Sequence, residues 1–280
     1  MGWSEGVHMQ RDVKETVREW LENDVVDLFL GYRMMDGHVL PHAFVKNRLE
    51  EADDIVSGPV RYPLEKLAAE IVAKHPDVRI GLLVRDCNQR ALNVLAVWNR
   101  IDPGHVKTLN LNCCPSKLIE HGDCSYLEPT ATGPYKRQVG IDNNMAPQDL
   151  ESYDPGDRIM RWMYEFQKCI KCYGCRNICP VCFCKDCSLE HPELIETGEL
   201  PPEFPIFHLT RAVHMAGRCI DCGLCEDACP ADIPLRLLYR KVNEIVKDVF
   251  DYQTGTSPDQ SPFNVLGDQV TLEPRPIGTA

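Results

Sequence analysis

The sequence has no long apolar run and carries few basic residues. Its longest apolar stretches are a handful of residues, as at Ile80 to Val84, whereas a membrane-spanning helix needs about 20. Lys and Arg number 30 against 42 Asp and Glu, a formal charge of −12, which disfavours nucleic acid or an anionic membrane as the main partner. Residues 1–6 lack the basic and apolar segments of a secretory signal and the Ser or Thr of a myristoylation signal. We therefore expect a cytoplasmic protein that neither inserts in a membrane nor binds nucleic acid.

Motifs of a substrate site are also missing. The sequence has no His-Glu-x2-His, no phosphate loop and no Gly-x-Gly-x2-Gly loop. Four polar residues with proton-carrying or charged side chains precede a cysteine-rich segment: His208, Arg211, His214 and Arg218. We interpret them as a helix face packed against its neighbour. The sequence therefore predicts no catalytic residue in this chain.

Cysteine is what the sequence has in excess. Of 15 cysteines, eleven fall between Cys169 and Cys229. An exported disulfide scaffold would be shorter and would carry a signal segment. The clustered cysteines are therefore interpreted as metal-ligating thiolates.

Eight of these cysteines form two runs of identical spacing, each Cys-x2-Cys-x2-Cys-x3-Cys-Pro. The runs are Cys169, Cys172, Cys175, Cys179 and Cys219, Cys222, Cys225, Cys229. This is the bacterial-ferredoxin spacing for cubane [4Fe–4S] clusters, in which the fourth Cys of a run ligates the other cluster. We expect Cys229 to join the first three cysteines of the first run, and Cys179 those of the second run. Zinc is the alternative, although zinc ribbons use isolated Cys-x2-Cys pairs.

A further group lies between the two runs, at Cys182, Cys184 and Cys187. A two-cluster ferredoxin does not need these residues, so they predict a third cluster completed by one cysteine from upstream. The upstream candidates are Cys87, Cys113, Cys114 and Cys124. The alternative is that these cysteines are buried free thiols.

Periodicity predicts a chain of two main parts. In the first, we expect a helix over Val13 to Leu28 ended by Gly31, and strands and helices at Val39 to Val45, Leu64 to Val72, Val78 to Val84, Arg90 to Arg100 and Val106 to Leu111. Strand, helix and strand within about thirty residues indicate a βαβ unit and a parallel sheet. In the second part, helices are expected at Ile159 to Phe166, Leu209 to Ala216 and Leu235 to Phe250.

These patterns predict an α/β N-terminal domain followed by an α+β bacterial-ferredoxin-like dicluster domain. The predicted boundaries are 1–126 for the α/β domain, 127–158 for a linker, 159–250 for the ferredoxin-like domain and 251–280 for an extended C-terminal tail. The linker and the tail are rich in Pro and Gly, as is typical of connecting segments.

The charges beside the two runs differ in sign. Lys168, Lys171 and Arg176 accompany the first run, and Asp221, Glu226 and Asp227 accompany the second. Positive neighbours favour the reduced, more negative form of a cluster. The sequence therefore predicts that the first cluster has the higher reduction potential.

Four segments together resemble a known family. They are VVDLFLGYR (25–33), IGLLVRDCNQRALNVL (80–95), CIKCYGCRNICPVCFCKDC (169–187) and HMAGRCIDCGLCEDACPADIPLRLL (214–238). The chain is similar to the beta-subunit family of deazaflavin-coenzyme-linked hydrogenases and formate dehydrogenases, in its shorter branch with a C-terminal pair of clusters. Cys182, Cys184 and Cys187 match family positions, and Arg85 to Arg90 stands where the branch commonly reads Lys-Gly-Cys-Asp-x-Arg. The chain departs from the family at Val60 to Pro63, where an Asn-Pro-x-Cys element often occurs.

The resemblance implies an iron–sulfur electron-transfer subunit of an anaerobic oxidoreductase complex. Such a subunit relays single electrons between a catalytic and an electron-acceptor subunit of the formate dehydrogenase, hydrogenase or heterodisulfide reductase type. The catalytic centre is then expected in the partner. The alternative is a flavin-containing reductase of a deazaflavin or nicotinamide coenzyme, because longer family members bind FAD. They bind it in a domain that this chain is too short to contain.

Overall fold

A computed structural model describes residues 3–57, 61–111, 140–141, 145, 147–196, 198–203, 205–256 and 261–264. Three of the predicted upstream ligands, Cys113, Cys114 and Cys124, lie outside these ranges. In the described part of the chain, no helix combines the length and the apolar character that crossing a membrane would require.

A four-stranded mixed sheet forms the centre of the N-terminal part, with the strand order β2-β1-β3-β4. The strands are β1 (Leu28–Met35), β2 (His38–Val45), β3 (Ile80–Val84) and β4 (Val106–Asn110). β3 pairs in parallel with both β1 and β4, which confirms the predicted βαβ unit. β1 and β2 form an antiparallel hairpin whose turn is Asp36-Gly37, both at positive φ. Pro41, which lacks an N–H to donate, is accommodated because β2 is an edge strand.

The helices of this part cover the sheet. They are α1 (Trp3–Glu22), α2 (Leu64–Lys74) and α3 (Asp86–Val97), with a 3-10 segment at Lys46–Asp54. Every residue of β3 is buried, as the apolar run at Ile80 to Val84 indicates. Phe29, Tyr32 and Phe44 are the largest side chains of the core around it.

The predicted helix over Val13 to Leu28 is wrong in its second half. The helix ends at Glu22, Asp24 adopts a positive φ of 52°, and β1 begins at Leu28. Val25 and Leu28 continue the helical spacing of α1 by coincidence, whereas the run from Val25 to Leu30 is compact, apolar and suited to a strand. Gly31 therefore lies inside β1, where its missing side chain leaves room for the rings of Phe29 and Phe44.

The C-terminal part consists of helices joined by cysteine-rich loops. Its helices are α4 (Pro147–Glu151), α5 (Pro155–Phe166), α6 (Gly174–Asn177), α7 (Ile206–His214), α8 (Leu224–Asp227) and α9 (Leu235–Phe250). The helix predicted over Leu235 to Phe250 is confirmed, and the other two predicted helices occur with shifted ends. α4 and the start of α5 fall within the stretch interpreted as a linker. Between residues 159 and 250, the described residues contain no strand, so helices and loops alone form this part.

The two parts share helix α3. Its Ala91 and Val94 belong to a second apolar core together with Phe166 and Tyr239 of the C-terminal part. The segment after α9 also packs on this helix, since the Asn93 side-chain amide donates to the Gly255 carbonyl (2.9 Å). The described beginning of the predicted tail therefore lies against the protein's own α3.

A buried carboxyl group lies where α2 meets α3. Glu65 is 1% exposed and accepts a hydrogen bond from the Asn88 side-chain amide (2.8 Å). Arg85, also buried, stands near it and over the ring of Tyr32. Burial raises the pKa of Glu65 to about 7, and the Asn88 hydrogen bond and the charge of Arg85 only partly oppose this effect. Glu65 therefore lowers the stability of the fold when it ionises.

We predict that Glu65→Gln stabilises the protein at alkaline pH and not at acidic pH. The unfolded chain ionises Glu65 at about pH 4.5, before the folded protein does, so wild-type stability falls as pH rises from about 4.5 to 7. Above that window, the difference amounts to about 3 kcal/mol in favour of the variant. Anaerobic denaturant titrations at about pH 5 and pH 8 measure it. Glu70→Gln, on the exposed face of the same helix, is the matched control, and a pH-independent effect of Glu65→Gln would contradict the prediction.

Candidate metal centre

The two cysteine loops repeat the same backbone turn. Lys171 and Tyr173 of the first loop have φ values of 52° and 57°, and the corresponding Asp221 and Gly223 have 54° and 80°. Each loop then enters a one-turn helix, α6 or α8. In the first loop the Lys171 amide points at the Cys169 sulfur (3.4 Å). The left-handed residues thus fold each loop around its own thiols, although only one of the four is a glycine.

The first three cysteines of the first run lie beside the last cysteine of the second run. The pKa of the Cys169 thiol is raised to about 11, chiefly by burial and to a smaller extent by the neighbouring thiols of Cys175, Cys229 and Cys172. Cys175 likewise has Cys229 and Cys172 among its electrostatic neighbours. Four thiols from two distant loops therefore lie close together, with Cys172 exposed and the other three partly buried.

The remaining four thiols of the two runs line one pocket. Cys179, Cys219, Cys222 and Cys225 line it together with Met215, Ile220 and Tyr239. Burial raises the pKa of the Cys219 thiol to about 12 and raises those of Cys222 and Cys225 well above their ordinary value. The pocket joins the second loop to the fourth cysteine of the first loop.

The chemistry of both groups fits a cluster with four thiolate ligands. A cubane distributes its thiolates over four iron corners, whereas zinc gathers its ligands around one ion. Among the described residues, no three His, Cys, Asp or Glu side chains converge on a position for a single ion. The donor sets consist of thiols alone, and apolar side chains surround them together with Arg211, Asp221 and Arg236.

The three cysteines between the runs have separate surroundings. Cys182 packs in the second core beside Arg211, and Cys184 is exposed with its sulfur 3.6 Å from Arg218 Nη1. Cys187 packs with Leu189 and Phe207 in another apolar cluster. Cys87, the one upstream candidate in the described residues, lies in a cavity beside Cys222. The described contacts thus do not bring the predicted third ligand set together.

The charged residues beside the runs are paired in the folded chain. In the first loop, Lys168 pairs with Glu165, Lys171 with Glu203, and Arg176 with Glu190. In the second loop, Asp221 accepts from Arg236 and Arg240, Asp227 pairs with Arg61, and burial raises the pKa of Glu226 to about 7. The predicted order of reduction potentials therefore draws no support from these six residues.

Helix α7 carries buried polar residues that the sequence had suggested only as a packed face. His208 stacks on Phe166 with 4.4 Å between ring centroids, and burial lowers its pKa to about 4. Arg211, one turn further, places its Nη1 3.8 Å from the Cys182 sulfur and lines the pocket of the second group of thiols. The helical spacing of Arg211 from Phe207 and His208 predicts that it lies on the buried side of the helix. The spacing does not predict which groups its side chain contacts.

Side chains of the N-terminal part form hydrogen bonds with the cysteine loops. Arg61 donates to the Cys222 carbonyl (2.5 Å), and Arg90 donates to the Ile220 carbonyl (3.1 Å). Lys66 donates to the Asn177 carbonyl of the first loop (3.0 Å). Cationic side chains of the α/β part thereby fix backbone carbonyls on both loops.

Comparison with known proteins agrees with this geometry. Models described as 4Fe-4S binding domains match residues 166–182 and 212–234, which contain all eight cysteines of the two runs. Over 106 residues, or 38% of its length, the chain is 43% identical to the F420-dependent formate dehydrogenase subunit beta of Methanocaldococcus jannaschii, and the match covers 28% of that protein. It is 41% identical over 104 residues, 37% of its length, to the F420-dependent formate dehydrogenase 1 subunit beta of Methanococcus maripaludis, of which 27% is covered.

The resemblance to the beta-subunit family is confirmed. The chain is an iron–sulfur protein, and the comparisons agree with its interpretation as an electron-transfer subunit of an oxidoreductase complex. It spans less than a third of the length of the relatives that it matches. Their reaction and their partners therefore carry over to this chain only as proposals.

We predict that Arg61→Met loosens the second cysteine loop. A hydrogen bond from a charged donor contributes about 1.5–3 kcal/mol, so amide exchange in the segment 219–228 should accelerate about tenfold or more. Hydrogen exchange with mass spectrometry measures it on the anaerobic protein. Arg79→Met, which breaks an exposed ion pair with Asp27, serves as the control, and unchanged exchange in 219–228 would refute the prediction.

Proposed function

We propose that this chain carries electrons within an oxidoreductase complex, through two [4Fe–4S] clusters with exchanged fourth ligands. Cys169, Cys172, Cys175 and Cys229 hold the first, and Cys219, Cys222, Cys225 and Cys179 hold the second. The observation that carries the proposal is the grouping of the thiols, because each group of four combines three cysteines of one loop with one of the other.

Bound clusters supply one-electron transfer, and the chain supplies their surroundings. Val181, Met215 and Ile220 keep water from the thiols on the inner side. The Lys171 amide donates toward the Cys169 sulfur, and such hydrogen bonds help to set a cluster's potential. Cys172 is exposed, so electrons have a short path between the first group and the protein surface.

Two kinds of partner are proposed: a catalytic subunit that oxidises or reduces the substrate, and a subunit that accepts or supplies the electrons. The related proteins are named as subunits of F420-dependent formate dehydrogenases, which supports a place in a low-potential complex of this type. The reaction then takes place in the partner, and this chain holds and spaces the groups through which single electrons pass. We also propose a cytoplasmic location for the assembly.

Iron and acid-labile sulfide content of the anaerobically purified protein, with flavin extracted from the same sample, tests the number of cofactors. We predict about eight irons for the two cysteine runs, at four irons per cluster, and no flavin. About twelve irons would add the third cluster at Cys182, Cys184 and Cys187. Bound FAD would favour the reductase alternative, and a content below four irons would overturn the proposal.

Double substitutions test the exchange of fourth ligands. We predict that Cys229→Ala removes about four irons and that Cys169→Ala combined with it removes no more, because both residues serve one cluster. Cys169→Ala combined with Cys179→Ala should instead remove about eight irons. If the fourth ligands are not exchanged, the losses are reversed: about eight irons from Cys229→Ala with Cys169→Ala, and about four from Cys169→Ala with Cys179→Ala.

A further inference from the structure

A single buried guanidinium lies between the two groups of thiols. Arg211 is 3% exposed, and its Nη2 donates to the Cys175 carbonyl (2.8 Å). Its Nη1 lies 3.8 Å from the Cys182 sulfur. The same charge acts on Cys175 of the first group and on Cys179, Cys219 and Cys225 of the second.

Among the described residues, no carboxylate forms an ion pair with this guanidinium. In the part of the chain that the structure describes, every other arginine near the two loops except Arg90 and Arg218 has an acidic partner, whereas Arg211 has no ion pair. Arg90 and Arg218 are only partly buried, and Arg218 stacks on Trp98. The Nε of Arg211 has no hydrogen-bond partner, and the ring of Tyr239 lies 5.8 Å from its Cζ.

An isolated buried charge of this kind is costly. Arginine remains protonated in proteins, and removing its charge from water without a partner costs several kcal/mol. Free thiols are neutral at pH 7, but a thiol that ligates iron does so as the thiolate. The anions that offset Arg211 are therefore those that appear when the surrounding cysteines hold their clusters.

We propose that Arg211 is the shared counter-charge of the two clusters, a positioning residue that raises the reduction potential of both. Reduction adds a negative charge to each cluster, and a cation in the same low-dielectric region stabilises that added charge. The inference rests on the proposed ligation by the two cysteine runs. Because Arg211 donates to the Cys175 carbonyl of the first group and lines the pocket formed by the thiols of the second, its removal affects both.

Reduction potentials of the full-length protein with its clusters test the proposal. Potentials are measured by electron paramagnetic resonance during anaerobic redox titration. Arg211→Met should make reduction of each cluster at least about tenfold less favourable, a shift of about 59 mV to more negative potential. Arg211→Lys, which keeps the charge, should stay close to the wild type. Arg240→Met is the matched control, because Asp221 then remains paired with Arg236.

Each other outcome is decisive. Wild-type potentials in a fully loaded Arg211→Met protein would overturn the inference while leaving the proposed function intact, and so would a shift confined to one cluster. Loss of iron from Arg211→Met but not from Arg211→Lys would support it, since the charge would then be needed to hold the clusters. Loss of iron from both variants would overturn it in favour of a purely steric role. A wild-type protein without the expected iron would instead refute the proposed function.

Discussion

The desolvation of thiols in the second apolar core is the constraint on which this molecule depends. The core places sulfur atoms from two loops among Phe166, Val181, Met215 and Tyr239. Burial raises the pKa of most of these thiols, so without ligands they are neutral and contribute as small apolar groups. When they hold metal they become anions in a low-dielectric region, and the surroundings must then compensate negative charge. The same core therefore has to accommodate both neutral thiols and metal-bound thiolates.

The α/β part contributes to this compensation without containing any of the eight cysteines. Arg61 and Arg90 direct their charge at backbone carbonyls of the second loop, and Lys66 does so at the first. Helix α3 supplies Ala91 and Val94 to the same core, to which α9 contributes Leu235 and Tyr239. The mixed sheet and its helices thus support the cysteine loops, as scaffolds commonly do for functional loops.

The cysteine runs could be predicted because metal-ligand spacing is a local property of the chain, and so could α9, whose apolar stripe spans the whole of Leu235–Phe250. The boundary between α1 and β1 could not, because Val25 and Leu28 fit a helical period and only the tertiary pairing of β1 with β3 decides for a strand. The grouping of Cys87 with Cys222 depends on how the two parts meet, and no spacing within either part indicates it. The separate surroundings of Cys182, Cys184 and Cys187 likewise depend on Arg211 and Phe207 of α7 and on Arg218 beyond its end.

The charges near the cysteines are the feature that the sequence predicts least well. Along the sequence the first loop has cationic neighbours and the second has acidic ones, yet each of these side chains finds a partner in the folded chain, and burial raises the pKa of Glu226 to about 7. Paired and solvent-screened charges have little effect at a distance. Arg211 is 36 residues from Cys175 in the chain but donates to its carbonyl, and it lacks both screening and an acidic partner among the described residues. Among the described residues near the two loops, Arg211 is therefore the buried cation without an ion pair, and its charge is the one we expect to matter most to the clusters. Only the packing of α7 on the two loops identifies it.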